Sequence, residues 1–96
     1  MKIDLNFPPF QQDLFSLDKT QLTAFVKSVK IINKMDLRQV RQSSELNLEK
    51  IKNLKTSNGK TLYSIRMSKS FRAVICIEDD FIRFISLHPD HDSAYK

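Results

Sequence analysis

From Leu62 onward the apolar residues fall on alternate positions, whereas between Pro8 and Leu62 they do not. Tyr63, Ile65 and Met67 alternate with polar residues, Phe71, Ala73, Ile75 and Ile77 repeat the pattern, and a last run extends from Phe81 to Leu87. A period of two belongs to strands that rest one face on a core. Three strands joined by hairpins are therefore expected, with Ser68-Lys69-Ser70 closing the first hairpin and Glu78-Asp79-Asp80 the second. Upstream, Leu22, Phe25, Val26, Val29 and Ile32 keep a helical spacing behind Asp18-Lys19-Thr20-Gln21, an N-cap aspartate with a glutamine three residues on. A chain whose period changes from helical to extended is restricted to an α+β arrangement, with helices on one face of an antiparallel sheet.

The remaining segments fit that frame. Ile3, Leu5 and Phe7 alternate with Lys2, Asp4 and Asn6 as in a half-buried strand, which Pro8-Pro9 stops. Phe10, Leu14 and Leu17 then mark a short helix, with Pro9 suited to its first turn. Asp36 caps a further short helix carrying Leu37 and Val40. Leu46, Leu48, Ile51 and Leu54 have no clear period and are assigned to an irregular or partly helical connection, ended by a turn at Asn58-Gly59. The expected fold is α+β, with an N-terminal strand, two or three helices, and a three-stranded antiparallel meander packed on the helices. Residues 1–96 make one domain. The sheet face away from the helices is left free.

Charge points to what that face meets. Sixteen Lys and Arg against eleven Asp and Glu leave a net charge of +5. Between Glu49 and Glu78 the chain carries Lys50, Lys52, Lys55, Lys60, Arg66, Lys69 and Arg72 without a carboxylate. A one-sign stretch of this length is a candidate surface for polyanions. No segment has the apolar length of a signal peptide or membrane span. Cys76 cannot pair within the chain and lies in an apolar run, as a small buried hydrophobe. A cytoplasmic protein with no membrane partner is expected.

The first hairpin suggests a site. A three-residue loop pairs Met67 with Phe71 and Ile65 with Ala73, and so sets Arg66 across from Arg72. Two guanidinium groups side by side cost free energy unless an anion or a carboxylate lies between them, and a phosphodiester suits their forked donors. Arg83 joins the same face if Asp79-Asp80 forms a two-residue turn, and the opposite choice would bury its charge under the helices. The end of the chain, His88-Pro89-Asp90-His91-Asp92-Ser93-Ala94-Tyr95, gathers further titratable groups. His88 and His91 with Asp90 or Asp92 make a weak metal set, and no metal or other cofactor is expected.

The segment Leu62-Tyr63-Ser64-Ile65-Arg66-Met67-Ser68-Lys69-Ser70-Phe71-Arg72-Ala73-Val74-Ile75 resembles the central hairpin of RelE/ParE toxins, in which a Tyr-x-Ile/Val-Arg strand is followed by Tyr/Phe-Arg and a β-branched run. His91-Asp92-Ser93-Ala94-Tyr95 is similar to the tail of the same superfamily. The resemblance implies a toxin neutralised by a cognate antitoxin, which cleaves mRNA on the ribosome in the RelE branch or inhibits DNA gyrase without cleavage in the ParE branch. By position it implies functional roles for Arg66, Arg72 and Tyr95. Two positions depart from the RelE pattern: Ser64 stands where a strand lysine is usual, and Asp90-His91 replaces a late arginine.

Metal-free RNA cleavage needs a base for the 2′-hydroxyl, a holder for the phosphorane charge and a proton for the 5′-oxygen. The expected catalytic residues are Arg66, Arg72, His91 and Tyr95, with Lys52, Lys55, Lys60, Lys69, Arg83 and His88 along the RNA. A histidine already titrates near neutrality, whereas Tyr95 needs its pKa lowered or stacks on a splayed base. The expected function is a metal-independent mRNA endoribonuclease toxin acting with the ribosome. The alternatives are a non-catalytic gyrase-inhibiting module and a non-toxic nucleic-acid-binding relative.

Overall fold

In the computed structural model, residues 1–89 are described. Their elements run β1 (Lys2–Asp4), α1 (Pro8–Phe15), α2 (Lys19–Asn33), α3 (Leu37–Gln42), β2 (Glu49–Lys55), β3 (Thr61–Arg66), β4 (Arg72–Glu78) and β5 (Phe81–His88). The helices start where local chemistry starts them. Asp18 and Gln21 form a reciprocal capping box at the head of α2, Asp36 and Gln39 do the same for α3, and α1 opens on its two prolines.

The sheet corrects one expectation. It has five strands in the order β1-β5-β4-β3-β2, not a three-stranded meander. β1 lies parallel to β5, with Lys2 beside Phe81 and Asp4 beside Arg83. The segment read as an irregular connection is β2, antiparallel to β3 and broken by a register shift between Lys50 and Lys55. Asn53, at φ 63°, sits inside that shift. The left-handed residue breaks the alternation that would have revealed a strand. Lys50, Lys52 and Lys55 are exposed along this outer edge, where charge discourages pairing with another chain.

Both hairpins take the expected register. Arg66 pairs with Arg72 and Ile65 with Ala73, and Glu78 pairs with Phe81 across a two-residue turn. Ile65, Ala73, Ile75, Ile82 and Phe84 thus face the helices and meet Phe10, Phe25, Ile32 and Val40 in the main core. Phe10, Phe25 and Phe84 pack ring on ring, with centroids 5.5–5.8 Å apart.

The other face is not a bare polar surface. Ile51, Leu62, Val74 and Cys76 form a second buried cluster there, with Ile85 against it. Burial raises the Cys76 thiol pKa, in keeping with its place as a small core side chain.

Candidate functional site

β3, β4 and β5 end together, and their last and first residues fall into one transverse row. Arg66 pairs with Arg72, and Arg72 pairs with His88. One step along the strands, Ser64 pairs with Val74 and Val74 with Ser86. Side chains at paired positions project to the same face, so two arginines, a histidine and two serines share this end of the sheet.

The arginines differ sharply in their surroundings. Arg72 is 2 % exposed. Its Nε donates to Ser64 Oγ at 3.1 Å, and its Nη2 donates to Ser64 Oγ, Ser64 O and Asn47 O at 3.0, 3.2 and 2.7 Å. Glu49 lies 3.9 Å from the same nitrogen. A buried guanidinium is tolerable only with such acceptors, and these fix the start of β2 to the sheet. Arg66 is half-buried and turns outward, donating from Nε to Glu45 O at 3.1 Å and from Nη2 to Ser44 O at 2.8 Å. Internal carbonyls, Ser64 and the nearby Glu49 carboxylate thus offset the cross-strand repulsion.

His88 completes the row. Its Nε2 lies 2.8 Å from Ser86 Oγ. Burial lowers its pKa, against an opposing pull from the Asp13 carboxylate, so the imidazole is neutral at pH 7. Asp13 is itself held by α1, accepting from the Leu87 amide at 3.0 Å.

The remaining basic residues are dispersed. Arg83 shares the outer face with Arg72, as its turn predicts, but bonds Asp4 at 2.9 Å and lies 3.5 Å from Glu78. The Arg83 hydrogen bond lowers the Asp4 pKa. Lys60 lies 3.9 Å from Glu78 at the same end of the sheet. Six strand residues, about 20 Å, separate that end from Arg66. Lys52 and Lys55 line the β2 edge, and Lys69 tops the first hairpin. His91 and Tyr95 lie outside the described residues. Sequence reasoning missed Ser86, although a serine two positions before a histidine on a strand is the pattern that places both on one face. It also missed the acceptors Ser64 and Asn47. Asn47 adopts φ 46°, which turns the chain so that its carbonyl reaches Arg72.

Among solved structures, the chain is similar to a copper-bound mutant toxin from Helicobacter pylori, with a TM-score of 0.52 over 97 % of both chains and 16 % sequence identity. The fold is toxin-like. No protein-family model matches the chain, and no curated protein matches it. Among the described residues, no three His, Cys, Asp or Glu side chains are grouped as a metal site requires.

Proposed function

We propose that this chain is the toxin of a toxin–antitoxin pair, of the RelE/ParE type that its hairpin resembles, and that it cleaves mRNA on the ribosome without a metal. The row Arg66, Arg72 and His88 carries this reading, because it sets a neutral imidazole and a half-exposed guanidinium at one end of the sheet. His88 Nε2 takes the proton of the attacking 2′-hydroxyl, which replaces the Ser86 hydroxyl as its hydrogen-bond partner. Arg66 holds the phosphoryl oxygens as negative charge grows on them. Arg72 acts as a positioning residue, anchoring Ser64 and the start of β2 behind the row. His91 and Tyr95 supply the proton for the 5′-oxygen and a stacking surface for a splayed base.

A second reading is a non-catalytic module that grips a protein such as DNA gyrase. It is favoured by one observation: both arginines spend donors on internal acceptors. Induced expression of the wild-type chain beside His88→Gln and Tyr95→Phe variants, with growth followed and RNA ends mapped, separates the two. Cleavage predicts growth arrest with new in-frame messenger ends, reduced about 100-fold or more by His88→Gln. Arrest without new ends, unchanged in both variants, would move the assignment to the protein-binding reading.

A further inference from the structure

On the helix side of the first hairpin, α2 and the β3–β4 connection leave an open cleft of about 550 Å³. Ala24, Lys27, Ser28 and Ile31 of α2 line one wall, at the spacing of a single helix face. Arg66, Met67, Ser68 and Lys69 line the other. Ser28 Oγ donates to Met67 O at 3.0 Å and ties the two walls together. The buried side chains of Leu46 and Met67 contribute the apolar lining.

Among the described residues, the lining of this cleft is net positive. Lys27, Arg66 and Lys69 face a single carboxylate residue in the lining, Glu45. None of the three cations takes part in an ion pair among the described residues. Arg66 is held through Nε and Nη2, which leaves Nη1 without a hydrogen bond there. The cleft on the opposite side of the sheet, beside Lys55 and Arg83, differs because Glu78 stands in it and pairs with Arg83 at 3.5 Å. Three cations with no ion pair among the described residues, above an apolar floor, fit a ligand with one flat apolar part and one compact anion, and the volume lies within the roughly 300–1,000 Å³ of ligand sites.

We infer that this cleft binds one nucleotide of a single-stranded RNA, with the phosphate on Lys27, Arg66 and Lys69 and the base against Met67 and Leu46. The inference rests on the proposed RNA-cleaving function for its polymer, and Arg66 joins the two sites, standing in the row and also bordering the cleft. Apolar contact with Leu46 and Met67 does not itself distinguish one base from another. The subsite selects single strands, because a base must leave its stack to enter. Lys27 lies outside the basic run of the sequence, and only the packing of α2 against the hairpin brings it to Arg66 and Lys69.

The test uses a 2′-O-methyl tetranucleotide, which cannot be cut by attack of a 2′-hydroxyl. Its binding is measured by calorimetry over a range of salt, with methyl NMR signals of Ile31, Leu46 and Met67 followed in parallel. Both lysines are exposed, so the Lys27→Ala/Lys69→Ala chain should keep the wild-type melting temperature. Its affinity should fall about tenfold or more, and its salt slope should fall by about 0.7, the value for one fewer phosphate neutralised. Unchanged affinity, methyl signals that do not move, or competition by polyglutamate as strong as by the tetranucleotide would overturn the inference. His88→Gln should reduce cleavage about 100-fold or more and leave this binding intact. A wild-type chain that cuts no RNA in cells yet shows the lysine-dependent binding would refute the cleavage reading and leave the cleft standing.

Discussion

Arg72→Ala discriminates between a guanidinium held for the fold and one held for a ligand. The side chain is 2 % exposed and donates to Ser64 Oγ, Ser64 O and Asn47 O. Truncation strands these acceptors and leaves a void, while it also relieves the cost of burying a charge. Removing one partner of a buried charged group typically costs about 3–5 kcal/mol, and several acceptors share this one, so we expect about 3 kcal/mol. At a urea m-value of about 1–3 kcal/mol/M, the unfolding midpoint should drop by at least about 1 M. Arg72→Lys keeps the charge but lacks the fork that spans Ser64 and Asn47, and should fall between wild type and alanine. Urea titration of the free chain by circular dichroism provides the assay. An alanine variant as stable as wild type, or more so, would refute the reasoning, because it would mean that the buried charge costs more than its bonds return.

Phe84→Ala should destabilise the chain by about 3–5 kcal/mol, since its ring contacts both Phe10 and Phe25 in a site with no solvent access; thermal unfolding reads the loss. For His88 the folded pKa lies below its unfolded value, so the unfolded chain binds the extra proton first. Stability should be full above about pH 6.5 and decline as pH falls from there toward the folded pKa. That component should vanish in His88→Gln, as judged by denaturant midpoints measured across the same pH range.

Much of the sheet was legible because its registers are set locally. The Ser68-Lys69-Ser70 loop fixes Arg66 opposite Arg72, and the Asp79-Asp80 turn fixes the face of Arg83. The capping boxes at Asp18 and Asp36 were equally readable, being contained within four residues each. β2 was not, since an edge strand needs only one buried side chain, Ile51, and the bulge at Asn53 erases its alternation. The free basic face was a misreading of the same kind. Alternation assigns Leu62, Val74 and Cys76 to the outer face, but not the second cluster they build there with Ile51. Of the site, the pairing of the arginines was legible and the fate of Arg72 was not, because Asn47 O is 25 residues away along the chain. The charge run likewise gave no sign that Lys60 and Arg83 are occupied by Glu78 and Asp4.

The parallel pairing of β1 with β5 sets an order of events during synthesis. Lys2 finds its partner at Phe81, 79 positions later, so the first strand made has no sheet to join until nearly all of the described chain has left the ribosome. The hairpin of β3 and β4 can form early, whereas closing so long a loop is entropically expensive and slows the last step. The same final strand delivers His88 to the row. A nascent chain that ends before β5 therefore carries both arginines but neither a complete sheet nor the imidazole beside them.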